Sequence, residues 1–493
     1  MGGRFDADGL QTRVESQLRR WEVPSAVMSI VKDGKILFSG GVGMRDNKDR
    51  PADGRTLYEI ASCTKAFTAA AAGVLATEGK LDFDAPVIEY MPSFRLSDDY
   101  AASHLTVRDF LSHRSGLPRH EYAWYGTGFT REELFRNLRH LQINAPLRYR
   151  FQYSNFNYFI VGCLIEAISG MKIEDFLKEK LLTPLGMDRS YTYFSEIQKH
   201  QNSALPFGHD EEYVMTGIRQ IPYYASPAEN DAAGTGDPTA AAGCVVSCAD
   251  DMAKWLFFNL NGGKIGDRQL VKKELMDVIF SPHIFLGGGA YAPEQSAGHY
   301  ALGWEVFDYR GQRMLQHSGN INGFTSFAAV LPDRQIGVFV SANMNVTMLV
   351  DAIGLSVIDG LLEAEDGGWD ERMRQYNEAL FKQVCEIYAA AGGDSVPGTA
   401  PSHPLADYAG EYQAPGYRRF RVEYDGQGLL ADFNTFRVPL RHHHYDSFAT
   451  CGVIGELPSG LVLSFQADPA GAICALSVKL GSEQGLSPIV CTK

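Results

Sequence analysis

Ser62-Cys63-Thr64-Lys65-Ala66-Phe67-Thr68-Ala69-Ala70-Ala71-Ala72-Gly73-Val74-Leu75-Ala76-Thr77-Glu78-Gly79 is the stretch that decides how this chain reads. Its apolar residues fall on every side of a helix, and a helix without a polar face is buried all round. Gly79 is the residue type that closes such a helix in the left-handed conformation. Against that apolar ground Lys65 stands out, three residues after Ser62. Residues three apart share a face on a helix and point to opposite sides on a strand. Context therefore separates the three Ser-x-x-Lys tetrads of the sequence. Ser29/Lys32 lies in a strand-like run, Ser169/Lys172 spans the helix-stopping Gly170, and only Ser62/Lys65 opens a long buried helix.

That placement suits chemistry. A hydroxyl at a helix N-terminus sits where unpaired N–H groups and the helix dipole stabilise negative charge. A lysine one turn in is poorly hydrated, which disfavours its ammonium and lets it take a proton. Taken alone, the tetrad equally describes a helix cap with a snorkelling lysine.

Two further motifs stand elsewhere. Tyr153-Ser154-Asn155 is the only Tyr-x-Asn among 23 tyrosines and precedes an apolar helical run, 156–168. A tyrosine beside cations can reach the phenolate and act as a base. Asn155 could donate to a substrate carbonyl and accept from Lys65. His317-Ser318-Gly319 is the only His-x-Gly among 13 histidines, with Asn320 following, after the strand-like 314–316. A small residue at 319 lets a substrate lie against the strand edge, where backbone N–H groups could bind an oxyanion. Each motif alone also fits an ordinary cap or a structural histidine.

Together, in this order and with separations of 91 and 164 residues, the three motifs resemble the signature of serine β-lactamase and penicillin-binding-protein-like hydrolases. Leu57-Tyr58-Glu59-Ile60-Ala61, Leu111-Ser112-His113-Arg114-Ser115-Gly116-Leu117 and Ala242-Gly243-Cys244-Val245-Val246-Ser247 fit the same resemblance, which covers about residues 8–390. It implies Ser62 as nucleophile, Lys65 as its activating partner and Tyr153 as the base that shuttles the proton. It implies Asn155 as partner of Lys65 and substrate, and the N–H groups of Ser62 and Asn320 as oxyanion hole. His317, Ser318, Gly319 and Asn320 then line the substrate strand. No cofactor or metal is implied. His317 stands where β-lactamases usually carry Lys in Lys-Thr-Gly. A mostly neutral histidine attracts a substrate carboxylate less, which argues against strong β-lactamase activity. Within this family the His-x-Gly form resembles esterases, D-aminopeptidases and related acyl-transfer enzymes, which implies amide, peptide (including D-residue) or ester substrates.

The fold expected is α/β (α+β) and β-lactamase-like: an antiparallel sheet flanked by helices, a mostly helical subdomain, then a small C-terminal antiparallel β-barrel. Residues 8–21 read as an amphipathic helix. The runs 26–31 and 35–40 flank Lys32-Asp33-Gly34, a hairpin signal. Residues 80–280 read as helices and long loops. Strand signals return at 314–316, 326–331 and 337–341, and helical periodicity runs from 347 to 391. Strands at both ends of a helical middle imply one sheet assembled from the two ends. Residues 392–404 have linker composition. Beyond them, alternating runs at 420–424, 429–433, 436–440, 461–465 and 473–480 are broken by Asp425-Gly426, Pro458-Ser459-Gly460 and Pro469-Ala470-Gly471. The expected organisation is a hydrolase domain at 1–391, a linker at 392–404 and, by resemblance, a lipocalin-like barrel at 405–493. His442-His443-His444 reads as structural, since no third ligand is evident.

Composition limits the alternatives. With 45 Lys+Arg against 59 Asp+Glu the net charge is −14, which repels a phosphate backbone, so no nucleic-acid partner is expected. No apolar run approaches the roughly 20 residues of a membrane helix. Residues 1–8 lack the apolar core of a signal peptide. Eight cysteines without a CxxC pair read as reduced thiols, so the expected location is cytoplasmic. A small molecule or short peptide is the expected partner, with self-association left open. Acyl transfer to an amine, as in penicillin-binding-protein-type thioesterases, and a non-catalytic binder of the same fold remain open beside hydrolysis.

Overall fold

The computed structural model describes residues 7–209, 217–224, 236–288, 292–391, 395–451, 461–480 and 485–493. Residues 1–6, the first part of the expected linker (392–394) and the expected turn Pro458-Ser459-Gly460 lie outside the described residues. The chain forms two compact units. One holds Met1–Phe94, Tyr100–Gly116 and Pro146–Glu378; the other holds Arg95–Asp99, Leu117–Ala145 and Ala379–Lys493.

In the first unit the hairpin forms as its turn residues dictate. Strand β1 (Ser25–Lys32) and strand β2 (Lys35–Gly43) are joined by Asp33 at φ 50° and Gly34 at φ 73°. These are the two positive φ values that a two-residue hairpin turn requires. Six strands follow: β3 (Ile284–Phe285), β4 (His299–Tyr300), β5 (Glu305–Tyr309), β6 (Gln312–Ile321), β7 (Phe324–Leu331) and β8 (Ile336–Ala342). They form one antiparallel sheet in the order β2-β1-β8-β7-β6-β5-β4-β3. The first hairpin thus joins the last strand, with Ala26 opposite Ala342 and Lys32 opposite Ile336.

Both faces of the sheet are covered. Helix α1 (Ala7–Arg20) contributes Leu10, Val14 and Leu18 to a core shared with Ala26, Met28, Ile30, Val338 and Val340. Ile353 and Ile358, on a helix near the end of this unit, complete it. The alternate residues point the other way, where Ser29 donates to the Ala249 carbonyl and a Cβ on Gly337 would meet Leu256. A strand covered on both sides shows no polar alternation, so 26–31 reads as a near-continuous apolar run. Each large aliphatic side chain so buried contributes about 1.5–3 kcal/mol.

Helix α2 (Thr64–Thr77) is buried from Thr64 to Leu75, as its all-round apolar pattern requires. Helix α3 (Asn155–Ser169) ends at Gly170, φ 71°. Helix α4 (Ala249–Leu260) stacks Trp255 on Phe67 of α2 at 3.7 Å between ring centroids. The periodicity from 347 to 391 resolves into α5 (Leu349–Leu361) and α6 (Trp369–Ala391), divided where Gly367 and Gly368 interrupt it.

In the second unit, β9 (Gly410–Tyr412), β10 (Phe420–Tyr424), β11 (Leu429–Phe433), β12 (Phe436–His444), β13 (Ser447–Thr450), β14 (Val462–Ala467), β15 (Ile473–Val478) and β16 (Ile489–Thr492) pair in sequence order. Gln413 and Thr492 exchange two backbone hydrogen bonds of 2.9 and 3.0 Å, which nearly closes the barrel. Tyr408, Tyr412, Phe448 and Phe465 pack edge-to-face in its core.

Residues 117–145 also pack here. Asn434 Nδ2 donates to the carbonyls of Tyr122 (3.0 Å) and Tyr125 (2.8 Å), Arg418 donates to the Thr127 carbonyl, and Tyr417 Oη lies 3.0 Å from His120 Nδ1. A composition break at 392 marks a change along the chain, whereas this unit gathers a second stretch through carbonyls and aromatic faces. Such partners leave no linear signal.

Candidate active site

The turn that carries Ser62 is strained and held from three sides. Ile60 has φ −90° and ψ 0°, and Ala61 takes φ 49°, a left-handed value. For a residue with a Cβ this costs about 1–3 kcal/mol and persists only where neighbours enforce it. Ile60 N–H donates to the Val245 carbonyl at 3.0 Å, and Val245 N–H donates to Thr64 Oγ1 at 3.0 Å. Cys63 Sγ lies 3.3 Å from the His317 carbonyl. On the third side is Gly319, where a Cβ would lie 2.2 Å from the Ile60 carbonyl oxygen and 3.1 Å from Ser62 N. The ladder of β6 with β5 ends at Gln316 opposite Glu305, while the ladder with β7 runs on to Ile321. From His317 onward, β6 therefore runs beside the Ser62 turn instead of a strand.

Ser62 Oγ lies 2.9 Å from Lys65 Nζ and 2.9 Å from Tyr153 Oη. Lys65 is fully buried, and its Nζ also lies 2.9 Å from Asn155 Oδ1 and 3.0 Å from the Ala242 carbonyl oxygen. Asn155 is the first residue of α3, and Ser154 before it is extended. Ala242 belongs to the short helix Ala240–Gly243, which approaches α3 closely at Gly162, where a Cβ would come 2.8 Å from the Ala241 Cβ.

The oxygens of Asn155 and Ala242 only accept, so they take two N–H groups of Lys65. The third direction of Nζ faces Ser62. As an amine, Lys65 presents a lone pair there; as an ammonium it presents a proton while the hydroxyl donates to Tyr153. One set of heavy-atom positions accommodates both, which is the requirement for moving a proton among Ser62, Lys65 and Tyr153.

His317 is buried, and its ring is occupied at both nitrogens. Nδ1 lies 2.6 Å from the Ser318 carbonyl oxygen, which can only accept, so Nδ1 carries the proton. Nε2 then accepts from Tyr300 Oη at 2.8 Å. Burial, reinforced by the charge of Lys65, lowers its pKa to about 3, against the smaller opposing effect of the Ser318 carbonyl. His317 and Gly319 face inward, while Ser318 and Asn320 are exposed. The structure thus gathers Ser62, Lys65, Tyr153 and Asn155 by direct hydrogen bonds. It places 317–320 alongside them, with the histidine ring turned into the protein.

Sequence reading assigned no role to His113, Asn157, Tyr300 or the Ala242 carbonyl. His113 is buried at φ 56°, and its ring centroid lies 4.5 Å from that of Tyr153. The loop into Tyr153 is tied to the same region: Arg148 N–H donates to the Arg114 carbonyl at 2.6 Å and Gln152 N–H to the His113 carbonyl at 2.8 Å. Beneath, the buried Asp109 pairs with Arg114 at 2.6 Å and Arg148 at 2.7 Å. Burial alone would raise Asp109, but Arg148, the Thr106 N–H and Arg114 together hold its pKa below the ordinary carboxylate value.

Residues 10–356 match the beta-lactamase family model, and residues 394–490 match a domain of unknown function, DUF3471. The unguisins hydrolase ungD' of Aspergillus campestris is 28% identical over 446 residues, covering 87% of this chain and 80% of that protein. Protein flp of Staphylococcus aureus is 26% identical over 359 residues, 71% of this chain and 66% of that protein. Among solved structures, the octameric penicillin-binding protein homologue from Pyrococcus abyssi superposes with a TM-score of 0.63 at 22% identity, covering 99% of this chain and 100% of that one. SurE does so with a TM-score of 0.56 at 20% identity, covering 99% of each chain. These two share the fold. With the family model spanning the sheet, the buried helix and all three motifs, the chain belongs to the beta-lactamase family.

Proposed function

We propose that the chain is a serine hydrolase that works through an acyl-enzyme on Ser62. The observation that carries this reading is a single hydroxyl 2.9 Å from both a buried lysine amine and a tyrosine phenol. Ser62 Oγ attacks the substrate carbonyl carbon, and its proton passes to the Tyr153 phenolate, directly or by way of Lys65. The tetrahedral oxyanion rests on the N–H groups of Ser62 and Asn320. Collapse breaks the bond to the leaving amine or alcohol, which takes the proton from Tyr153. Water then attacks the Ser62 ester and gives a proton to Tyr153. Collapse breaks the ester bond and releases the acid, and the departing Ser62 oxygen takes that proton from Tyr153, restoring the hydroxyl and the phenolate.

Asn155 and the Ala242 carbonyl hold Lys65 on the hydroxyl throughout. Because His317 is neutral, it supplies no charge for a substrate carboxylate, which supports ordinary amide, peptide or ester bonds over β-lactams as substrates. Amide and peptide bonds, including those of D-residues, come first, and the hydrolase names of the Aspergillus relatives support hydrolysis in general.

A fluorophosphonate probe should label Ser62 once per chain, and a panel of D- and L-aminoacyl amides, short-chain esters and a chromogenic cephalosporin should give the order amide, ester, cephalosporin. Absence of labelling, with Ser62→Ala indistinguishable from the wild type, contradicts the reading.

A further inference from the structure

We infer that His113 is a positioning residue that sets the place of the Tyr153 phenol, acting through the acceptor at its Nδ1. This rests on the role proposed for Tyr153 above and goes beyond it. Two N–H groups converge on that nitrogen: the backbone N–H of Ser154 at 3.2 Å and Nδ2 of Asn157 at 3.0 Å. A nitrogen receiving two donors carries no proton, so the ring is the Nε2–H tautomer. Asn157 is itself oriented, since Ser115 Oγ donates to its Oδ1 at 2.7 Å and leaves the amide nitrogen facing His113. All three side chains are buried.

The consequence falls on Tyr153. His113 holds the backbone on both sides of it, taking Gln152 N–H on its carbonyl oxygen at 2.8 Å and Ser154 N–H on its ring. Its ring also packs on the phenol, 4.5 Å between centroids and 38° between planes, and meets Tyr300 at 4.9 Å and Tyr158 at 5.1 Å. The residue that supplies this sits at φ 56°, a left-handed value that a side chain with a Cβ adopts only under constraint. One strained histidine therefore fixes the main chain at 152 and 154 and the ring between them. A base displaced by about 1 Å loses on the order of a hundredfold in rate.

The test separates the acceptor from the bulk. His113→Asn returns an acceptor near the Nδ1 position, whereas His113→Gln carries its amide farther out and withdraws that acceptor from Ser154 N–H. On the full chain with the best amide or ester substrate, His113→Gln should lower kcat by about a hundredfold with KM unchanged. His113→Asn should recover most of that loss, with fluorophosphonate labelling of Ser62 stoichiometric in both. Ser115→Ala, which frees Asn157 without touching the histidine, should lower kcat in the same direction, and decides the matter if the His113 variants do not fold. Wild-type kcat in His113→Gln, equal losses in the Asn and Gln variants, or an unchanged Ser115→Ala where the His113 variants misfold would each overturn the inference. Tyr153→Phe distinguishes the two levels: full turnover there removes the function proposed for Tyr153, whereas loss there with active His113→Gln removes only the placement.

Discussion

Gly319 and Ile60 are in contact so close that a Cβ on the glycine would lie 2.2 Å from the isoleucine carbonyl oxygen. The requirement at 319 therefore comes from the Ser62 turn itself. A small residue was expected there to admit a substrate; the structure shows that it first admits the main chain of the residues leading into the serine. Gly319→Ala should push Ile60 and Ala61 out of place, lowering turnover by about a hundredfold or more through displacement of Ser62. The overpacking should lower stability by about 1–3 kcal/mol. Steady-state rates and a thermal melt on the same variant check both, and a fully active, equally stable Gly319→Ala would contradict the account.

Lys65 offers a second separation of effects. Its Nζ serves two oxygens that only accept, on Asn155 and Ala242, besides Ser62. Lys65→Met keeps most of the length of the side chain and removes every donor. Turnover should fall by about 10²–10⁴, the usual worth of a positioned acid–base group. The buried Ala242 oxygen left without a donor should cost about 1–3 kcal/mol, and the half-buried Asn155 amide oxygen less. Asn155→Ala removes only one of the acceptors, so it should reduce turnover while destabilising less than Lys65→Met. Rates and denaturant midpoints of the two variants give the order directly, and a Lys65→Met as stable as the wild type would show that these oxygens find other donors.

The sequence made legible whatever a side-chain period or a side-chain type can carry. The apolar run after Ser62 implied a helix buried all round, and α2 is so buried; Asp33-Gly34 implied a hairpin and takes the positive φ values of one. Strands 420–424 and 429–433 appear with those bounds because Phe420, Val422, Leu429, Ala431 and Phe433 alternate inward. The short strands Gly410–Tyr412 and Ser447–Thr450 were not legible, since three or four residues are too few to show a period. At the site, hydroxyl, amine, phenol and amide announce themselves by residue type. The third acceptor of Lys65 is the carbonyl of Ala242, which any residue could supply, so nothing in the sequence marks it. His113 lies within Leu111-Ser112-His113-Arg114-Ser115-Gly116-Leu117, but its meaning lies in an Nδ1 shared by residues more than forty positions later.

Asp109 links acidity to the stability of the loop that ends at Tyr153. Its folded-state pKa is depressed, so its ion pairs contribute stability that is present above the unfolded carboxylate pKa, about 3.9, and is lost as pH falls through the lower folded value. Asp109→Asn should be less stable than the wild type at pH 7 by about 1–3 kcal/mol, the half-exposed Arg148 keeping the figure below that of a fully buried pair. The gap between variant and wild type should narrow below about pH 4 as the native carboxylate is itself protonated. Denaturant midpoints at pH 7 and below pH 4 measure the gap, and one that stays constant or widens in acid would exclude the ion pairs as its source.

His317 makes the opposite kind of prediction, because its folded state resists a proton that the unfolded chain accepts. The ring is buried, Nδ1 is committed to the Ser318 carbonyl and Nε2 to the Tyr300 hydroxyl, and its pKa lies near 3 instead of its ordinary value of 6.5. Between those values the unfolded state binds one more proton than the native state, so stability declines as pH falls from about 6.5 towards about 3, by about 1.4 kcal/mol per pH unit from this residue. His317→Gln cannot titrate, and its stability should fall less steeply over that range by about one proton's worth. The same burial removes His317 from the acid–base chemistry of turnover: above pH 5 it is neutral in the folded protein. Any acid limb of the rate between pH 5 and 8 should then belong to the Ser62, Lys65 and Tyr153 assembly and keep its midpoint in His317→Gln, even where the absolute rate drops. A limb that disappears with the histidine would mean that its ring takes up a proton near pH 6.5 in the native state, against its two hydrogen bonds and its burial.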